Sequence, residues 1–454
     1  MNILEQVPLS VHQTWQRVQA AGHGIHLVGG AVRDILLGRA TSDFDLASSA
    51  TPQQLTELFE RVIPTGWKHG TVTVVQPDGL LVEITSYRSE GPYSDGRHPD
   101  LVQLGSTIEQ DLGRRDFTIN AMAVNCNSGQ LLDLHGGQDD LRARLVRTVG
   151  EPAKRFQEDG LRLWRAARFA ATLEFEVEPG TLQAMREQSA CLRKVAAERQ
   201  KDELLRLLQA VAPSRGFRLL QRTGLLNLVL PELERCVGVE QGGWHQHDVF
   251  EHSLAALDAA PQDHPTLRLA LLLHDIGKPG CARGELPDRS FHGHEQQGAE
   301  LARQVLERLR FSRSTVDEVV ALVAGHMWHY TDDWSDGAVR RFVSRLGLDR
   351  LNDVFLFRDA DLQGRGETGL KDGQQRSRAL TARIEQVLQT SHVLTVRDLA
   401  LDGKAVCRIL GIEPGPIVGQ ALAWCLEQVQ DRPQDNNSET LEKMLRDWYR
   451  GRGH

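Results

Sequence analysis

The stretch that decides the fold is residues 27–46, LVGGAVRDILLGRATSDFDL. Residues 25–28 form a short, mostly apolar β-prone run, Gly29 and Gly30 follow it directly, and residues 31–37 have helical character. This order predicts a strand, a glycine turn and a helix. Glycines let a backbone approach a ligand closely because they have no Cβ, and the unpaired N–H groups of the first helical turn favour an anion such as phosphate.

Charged side chains surround this turn in a pattern that suits a nucleotide. Arg33 lies in the first turn of the predicted helix, where its guanidinium could donate to phosphate. Asp43 and Asp45 alternate with Phe44 and Leu46 in a run that predicts a second strand, with both carboxylates on one face. Two carboxylates beside an anion-binding turn can hold the Mg²⁺ ions that a nucleoside triphosphate requires. Alone, a Gly-Gly pair is most often an ordinary turn, and an Asp-x-Asp is most often a solvated loop or a helix cap.

Composition bounds the class of protein before further motifs are used. With 454 residues, of which 25% are charged and 40% hydrophobic, the chain is expected to contain several domains of an ordinary globular protein. It has no apolar run as long as a membrane span, no signal-peptide core near its start, and six scattered cysteines without a CxxC pair. We therefore expect a cytoplasmic protein with no membrane association and free thiols.

The net charge of −8 is unusual for an RNA-binding protein, but the charge is unevenly distributed. Residues 142–222 contain 17 Lys and Arg against 10 Asp and Glu. A local basic surface is sufficient to bind a phosphate backbone, whatever the total charge. On charge alone, a solvated helical face explains these residues equally well.

Three motifs together indicate a family. They are LVGGAVRD with DFDL in residues 27–46, RRDFTINA at 114–121, and EDGLRLWRAARF at 158–169. The set resembles the bacterial tRNA nucleotidyltransferase and poly(A) polymerase family, whose nucleotidyltransferase superfamily includes DNA polymerase β. The resemblance implies template-independent addition of CCA to the 3′ end of tRNA from CTP and ATP, with Mg²⁺ in the head domain and release of pyrophosphate.

The resemblance assigns roles to residues of the head domain. Asp43 and Asp45 would bind the metal and, with Glu83, form the catalytic carboxylates. Arg115 would meet the triphosphate and Asp116 would accept a hydrogen bond from a ribose hydroxyl, while Gly29, Gly30 and Arg33 would neutralise the phosphates. Glu83 also stands out by itself, because a carboxylate in an apolar strand is costly to bury unless it is paired or metal-bound.

The helical segment after the head would select the base. In the family, the EDxxR string acts as a protein template for CTP or ATP, and Asp159 and Arg162 occupy its positions. Three residues apart, they would lie on one helix face and present acceptors and donors to a base edge. Arg165 and Arg168 continue the row and could meet phosphates. The sequence departs from the family at Gly160, where relatives usually have proline; taken alone, this stretch is more simply an i,i+3 salt bridge on a surface helix.

A polar segment, SEGPYSDGRHPDLV at 89–102, is rich in glycine and proline and predicts a flexible loop. In the family, a loop here acts in the final adenosine addition and is shortened in enzymes that add only CC. Its presence points away from a CC-only enzyme, although plain surface loops have the same composition. Ala31 and Ala121 favour tRNA maturation over poly(A) synthesis.

A group of histidines and aspartates follows the helical segment. It comprises His252, His274, Asp275, His292, His294, His326 and Asp361. This order, with HDIGK at 274–278, resembles the HD phosphohydrolase family. Imidazoles with carboxylates suit a divalent transition metal, so the resemblance implies a second site with Ni²⁺, Mn²⁺ or Co²⁺ that hydrolyses phosphate esters, such as RNA 3′-phosphates or 2′,3′-cyclic phosphates. The alternative is a degenerate HD fold retained for tRNA binding.

These observations predict an α+β protein. A polymerase-β-like head with a mixed sheet occupies residues 1–145, an all-helical neck 146–230, an all-helical HD domain 231–370 and a helical tail 371–454. A-only addition or poly(A) synthesis are the alternatives within the class, and an HD phosphohydrolase with a nucleotide-sensing head is the alternative outside it. Only its position suggests that the tail contacts the tRNA body, and the oligomeric state is left open.

Overall fold

The structure is a computed structural model that describes residues 3–91, 102–242, 246–366, 370–390 and 393–451. A head with a mixed sheet is followed by helices, which confirms the predicted fold class. The chain forms two compact units, Met1–Glu234 with Arg308–Arg310 and Arg235–Glu307 with Phe311–His454. The finer boundaries at 145, 230 and 370 stay a prediction. Most of the predicted loop at 89–102 lies outside the described residues.

The strands lie mainly in the head. In chain order they are β1 (Ile25–Val28), β2 (Asp45–Ser48), β3 (Val62–Gly66), β4 (Thr71–Val75), β5 (Leu81–Ser86), β6 (Arg88–Glu90), β7 (Val102–Leu104), β8 (Met122–Asn125), β9 (Leu131–Asp133), β10 (Leu145–Val146) and β11 (Glu176–Val177). Within the described ranges, seven of them form one sheet in the order β3-β4-β5-β2-β1-β8-β9. Only β2 and β5 are parallel neighbours in it. The pairs β6–β7 and β10–β11 form two small sheets.

The helices of the first unit are α1 (Leu9–Ala20), α2 (Gly30–Leu36), α3 (Pro52–Leu58), α4 (Ile108–Gly113), α5 (Gly137–Ala143), α6 (Pro152–Glu158), α7 (Leu161–Thr172), α8 (Pro179–Glu187), α9 (Ala197–Leu208), α10 (Ser214–Arg222), α11 (Leu226–Val229) and α12 (Pro231–Glu234). Short 3-10 turns at Trp67–His69 and Thr118–Asn120 adjoin the sheet.

The second unit is built from helices in its described part. They are α13 (Val249–Ala259), α14 (Pro265–Leu273), α15 (Lys278–Cys281), α16 (His294–Arg308), α17 (Arg313–Gly325), α18 (Asp336–Leu346), α19 (Leu351–Gly364), α20 (Leu370–Thr390), α21 (Gly403–Leu410), α22 (Pro416–Asp431) and α23 (Ser438–Arg450). Helices α13, α14, α17 and α19 pack together. Two further apolar cores lie toward the C-terminal end, one around Phe342 and Leu380 and one around Cys425 and Leu441.

No helix in the described part of the chain combines the length and the apolar character needed to cross a bilayer.

The predicted strand, glycine turn and helix are confirmed by β1 and α2. Gly29 joins them with φ +71° and ψ −133°, a conformation that residues with a Cβ rarely adopt. A Cβ on Gly29 would also lie 3.0 Å from Nη1 of Arg115. Glycine is therefore required both by the turn and by the close approach of a side chain from a distant part of the chain.

The main sheet is covered unequally on its two faces. Val72, Val82 and Ile84 are fully buried on one face, the side on which α1 and α3 pack against the sheet. On the other face, α4 covers β1, β2 and β8 through Ile108 and Leu112. Strands β3 and β5 expose residues on that second face, Ile63 and Leu81 among them, whereas Thr73 of β4 between them is buried.

The prediction that Asp159 and Arg162 share one helix face is wrong. Helix α6 ends at Glu158, Asp159 has an extended backbone with φ −148° and ψ 107°, and α7 begins at Leu161. The two side chains therefore leave the backbone from different elements. The break lies at Gly160, where a Cβ would lie 2.4 Å from the backbone oxygen of Cys191.

Replacing Gly160 with alanine is therefore expected to destabilise the protein, by about 1–3 kcal/mol, because the new methyl group must displace backbone. The measurement is the free energy of unfolding in urea. Gly113→Ala is the matched control, since a Cβ at Gly113 would meet no atom within 4 Å. Equal stability of the two variants would contradict this prediction, because it would show that the backbone near Gly160 and Cys191 shifts without a cost in free energy.

Candidate functional site

A cleft of about 480 Å³ lies in the first unit, between the head sheet and the neck helices. Its lining residues are Gly29, Gly30, Arg33, Asp43, Asp45, Arg114, Arg115, Asp116, Asn120, Asp159, Leu161, Arg162, Arg165, Arg168, Phe169, Arg199 and Arg206. The cleft thus brings together the predicted nucleotide-binding residues from separate stretches of the sequence. Its volume suits a ligand of nucleotide size.

Two carboxylates lie at the sheet side of the cleft. Asp45 is the first residue of β2, and Asp43 precedes it in an extended segment, with the buried ring of Phe44 between them. Burial raises the pKa of Asp45 to about 7, with further contributions from Asp43 and Glu83 and an opposing one from Arg115. A carboxyl group that resists ionisation beside two others fits a site that a cation completes.

Glu83 lies beside Asp45 in the sheet. Its strand position pairs with Asp45 across the parallel β2–β5 ladder, so both residues face the same side of the sheet. The residue is exposed on the sheet surface, and its carboxyl group is only partly desolvated. It is also absent from the cleft lining. Desolvation and Asp43 raise its pKa, with Arg88 opposing.

The three head carboxylates do not converge into one tight cluster. Among the described residues, the only groups with three potential metal ligands within 4.8 Å lie in the second unit. Mg²⁺ is usually held by one or two carboxylates together with substrate phosphates. Asp43 and Asp45 fit that smaller requirement, and the role predicted for Glu83 stays a prediction.

Arginines near the glycine turn are held in fixed orientations. Arg33 donates to Asp34 from Nε and Nη2 at 2.9 and 2.8 Å, and from Nη1 to the side-chain oxygen of Asn120 at 2.7 Å. Arg115 donates to Asp111 from Nη2 at 3.2 Å. Both guanidiniums therefore reach the cleft without having to be ordered by a ligand.

Asp116 is engaged more fully than predicted. It accepts from Nε of Arg165 at 2.6 Å, from the backbone N–H of Phe117 at 2.8 Å and from Asn120 at 3.2 Å. Burial would raise the pKa of Asp116, but Arg165, Arg162 and the bond from Asn120 lower it to about 2. Asp116 therefore holds Arg165 in place, and a ribose hydroxyl would be a further donor to the same carboxylate.

Helix α9 supplies two residues to the site that the sequence analysis did not identify: Arg199 lines the cleft, and Glu203 holds a lining residue in place. Arg199 donates to both carboxylate oxygens of Asp159, at 3.1 and 2.7 Å. Glu203, buried four residues later, accepts from Nε of Arg168 at 2.6 Å. A glutamate beside Leu204 on an apolar helix face was the available signal, since a buried carboxylate requires a partner.

Arg162 is anchored apart from Asp159. Its guanidinium donates to the side chain of Glu158, to the backbone oxygen of Arg155 at 3.0 Å and to that of Arg114 at 3.1 Å. Asp159 and Arg162 therefore line one cleft as two separately held groups. Their proposed role in base selection stays a prediction.

A second cluster is buried in the second unit. His252 lies on α13, His274 and Asp275 follow α14, His294 begins α16, His326 follows α17 and Asp361 lies on α19. They form two groups of potential ligands that share Asp275: His252, His274 and Asp275, and Asp275, His294 and His326. His292 is not part of either group and is exposed, because α16 begins at His294 and only that residue turns inward.

The imidazoles of this cluster are oriented by backbone carbonyls. Nδ1 of His274 lies 2.7 Å from the backbone oxygen of Leu271, and Nδ1 of His294 lies 2.7 Å from that of Phe291. Nδ1 of His326 lies 2.6 Å from the backbone oxygen of Val323. A carbonyl only accepts, so each Nδ1 has the hydrogen, and in the neutral ring Nε2 presents its lone pair to the centre. This is the outer arrangement typical of metal-binding histidines.

The centre of the cluster fits a cation. Oδ1 of Asp275 and Oδ1 of Asp361 are buried and have no hydrogen-bond partner among the residues that the structure describes. Burial lowers the pKa of His274, but Asp275 and Asp361 outweigh it and raise the value to about 9. Burial and the charge of His274 lower the pKa of His326 to about 3. The two carboxylates thus require a positive charge between them, which suits a divalent metal.

Basic residues contact Oδ2 of both aspartates. Nη2 of Arg365 lies 2.6 Å and Nη1 of Arg358 lies 3.2 Å from Oδ2 of Asp361. Lys278 donates to Oδ2 of Asp275 at 2.6 Å. Oδ1 of Asp361 lies 3.1 Å from Nε2 of His252, so the arginines turn one oxygen outward and leave the other facing the histidines.

Three family models match successive regions of the chain. Residues 25–147 match the family model of a poly A polymerase head domain, 174–236 that of a probable RNA and SrmB-binding site of polymerase A, and 249–361 that of the HD domain. An A-adding tRNA nucleotidyltransferase of Deinococcus radiodurans is 38% identical over 418 residues, 88% of this chain and 90% of that protein. The chain belongs to the tRNA nucleotidyltransferase and poly(A) polymerase family. The predicted resemblance is confirmed.

Other members of the family cover the same length. A CCA-adding enzyme of Limosilactobacillus fermentum is 31% identical over 432 residues, 94% of each chain. The crystal structure of the Bacillus stearothermophilus CCA-adding enzyme in complex with CTP is 29% identical, covers 98% of both chains and superposes with a TM-score of 0.74. A Thermotoga maritima CCA-adding enzyme complexed with tRNA_CCA shares the fold at 20% identity and a TM-score of 0.59. These tRNA nucleotidyltransferases therefore include both A-adding and CCA-adding members.

The outer shell of the second cluster leads to a test. Arg365→Ala is expected to weaken Mn²⁺ or Ni²⁺ binding by about 10- to 100-fold, because Asp361 loses the guanidinium that fixes its outward oxygen. Titration calorimetry of the full chain measures the affinity directly. The control is Arg376→Ala, at an exposed position of α20, which should leave the metal affinity unchanged. Unaltered or tighter binding by the Arg365 variant would contradict the orienting role.

Proposed function

We propose that this tRNA nucleotidyltransferase completes CCA at the 3′ end of tRNA, using CTP and ATP without a nucleic-acid template. The observation that supports this most is the single cleft that combines a glycine turn, two carboxylates and a set of pre-oriented arginines. The complex of the 29% identical Bacillus stearothermophilus enzyme with CTP supports the same donor here. A-only addition is the second candidate, since the 38% identical Deinococcus radiodurans relative is an A-adding enzyme.

The residues of the cleft have separate roles in the nucleotidyl transfer. Backbone N–H groups after Gly29 and the forks of Arg33 and Arg115 bind the triphosphate. Mg²⁺ held by Asp43 and Asp45 would lower the pKa of the RNA 3′-hydroxyl and offset the charge of the phosphates. The 3′-oxygen forms a bond to the α-phosphorus while the bond to pyrophosphate breaks in line with it. Fixed side chains contribute by positioning and by electrostatic stabilisation.

Base choice is assigned to Asp159 and Arg162. Arg199 holds Asp159 and Glu158 holds Arg162, so the acceptors and donors offered to a base stay in place as nucleotides exchange. A rigid polar site rejects a wrong base because mismatched groups remain unpaired. Arg165 and Arg168, anchored by Asp116 and Glu203, are the proposed contacts to phosphates.

The buried histidine cluster supports a second activity, hydrolysis of phosphate esters at RNA 3′ ends. The ligands are His252, His274, Asp275, His294, His326 and Asp361, without the predicted His292. A divalent transition metal bound there would activate water for attack on phosphorus. Asp275 directs one oxygen toward each group of histidines, at 3.1 Å from Nε2 of His274 and 3.3 Å from Nε2 of His294, so the cluster has room in its ligand set for two ions.

Removal of one head carboxylate should stop nucleotide addition. Asp45→Asn is expected to lower the rate by about 100-fold or more, because one metal ligand is worth several kcal/mol in the transition state. The assay uses tRNA lacking its CCA end, with CTP and ATP together and singly. Asp139→Asn, on an exposed surface of the head, is the control.

The products identify the activity. Incorporation of CTP and then ATP by the wild type supports CCA addition, and ATP alone supports the A-adding candidate. No incorporation, or a near-normal rate in the Asp45 variant with an unchanged melting temperature, removes the proposed head mechanism.

The two sites should act independently. His274→Ala with Asp275→Ala is expected to abolish hydrolysis of RNA 3′-phosphates and 2′,3′-cyclic phosphates, measured with Ni²⁺, Mn²⁺, Co²⁺ or Mg²⁺. Nucleotide addition should persist, because the head has its own carboxylates. A wild type that hydrolyses neither substrate with any of these metals, or a folded double variant that loses addition, would contradict this division.

A further inference from the structure

We propose that the open side of the head sheet over β5, β4 and β3 is where the last unpaired nucleotides of the RNA acceptor lie. This surface, the acceptor face, consists of Ile63, Thr65, Leu81, Glu83 and Thr85, with the buried Thr73 of β4 between the two strands that carry them. The inference rests on the proposed nucleotidyl transfer and adds to it the path of the nucleophile-bearing strand.

Strand order sets the direction of approach. The glycine turn follows β1, Asp45 begins β2, and the strands beyond β2 are β5, β4 and β3 in that order. In phosphoryl transfer, the attacking and leaving oxygens lie on opposite sides of the phosphorus. With pyrophosphate leaving toward the turn at Gly29, the 3′-hydroxyl has to arrive from the β5 side of Asp45.

The face on that side is available. Helix α4 covers β1, β2 and β8 on this side of the sheet, and its cover ends before β5. Leu81 is 56% exposed and Ile63 47% exposed. Strand register places Ile63, Thr73, Glu83 and Asp45 in one row across four strands. At about 4.8 Å per strand, the row is about 14 Å long, the rise of roughly four stacked nucleotides.

The chemistry of the face suits single-stranded RNA. The hydroxyls of Thr65 and Thr73 lie 2.9 Å apart and form one hydrogen bond, which uses one of their two hydroxyl hydrogens. Because Thr73 is buried and Thr65 is exposed, Thr65 would offer the second hydrogen to a ribose or phosphate oxygen. Glu83 is the only acidic residue in β3, β4 and β5, and Ile63 and Leu81 offer apolar contacts to bases.

Site-specific photocrosslinking tests the proposal in the full chain. A benzophenone amino acid at position 63 or 81 is expected to crosslink tRNA that lacks CCA, and the adducts should map to its last few 3′ nucleotides. The control is position 134, since Leu134 has the same 47% exposure as Ile63 but follows β9 at the opposite edge of the sheet. It should give no adduct at the 3′ end.

A kinetic readout separates binding from chemistry. Ile63→Ser with Leu81→Ser should raise KM for tRNA by about fivefold to tenfold, equal to about 1.0–1.4 kcal/mol, and leave KM for CTP unchanged. A rise in KM for CTP instead, with that for tRNA unaltered, would contradict the assignment.

The outcomes distinguish this inference from the proposed function. Incorporation by the wild type without 3′-end adducts at 63 or 81 overturns the acceptor face alone, as do adducts only between copies of the protein. Adducts at the 3′ end without any incorporation would support the face as an RNA surface and remove the proposed transfer. Absence of both overturns both.

Discussion

Ion pairs between buried or partly buried side chains organise both candidate sites. In the cleft, Asp116 is paired with Arg165, Glu203 with Arg168 and Asp159 with Arg199. In the second unit, Lys278 is paired with Asp275 and Arg365 with Asp361. The pairs orient side chains that would otherwise be mobile, and within the described ranges Oδ1 of Asp275 and Oδ1 of Asp361 keep no hydrogen-bond partner.

Those remaining oxygens mark where cations belong. Asp45 lies beside two further carboxylates, and its burial together with their negative charge raises its pKa to about 7. Asp275 and Asp361 each turn an unpaired Oδ1 toward histidine nitrogens. The same rule thus gives different sites: an open pair of carboxylates suited to an ion that arrives with a triphosphate, and a closed cluster suited to a resident ion.

Sequence reasoning succeeded where function depends on local order. Residues 25–46 form the predicted strand, glycine turn, helix and strand, because the apolar runs and the glycines act over a few positions. It failed where a contact joins distant elements. Arg199 reaches the cleft from another helix, and Glu203 on the same helix holds Arg168. The break at Gly160 depends on the backbone of Cys191, which no nearby residue reveals. His294 is the first residue of α16 and His292 lies two positions before it, a difference in helix boundary that the sequence pattern does not resolve.

The parallel pair of β2 and β5 has a kinetic consequence. Parallel neighbours need a crossover connection, and here the 32 residues 49–80, with α3, β3 and β4, lie between the two strands. Contacts of long sequence separation form late, because the intervening loop loses entropy before the contact is made. The row that joins Asp45 to Glu83 therefore exists only once this crossover is folded. A nascent head cannot assemble that part of its reactive surface until the crossover and β5 have been synthesised, which keeps partly folded chains from engaging a substrate there.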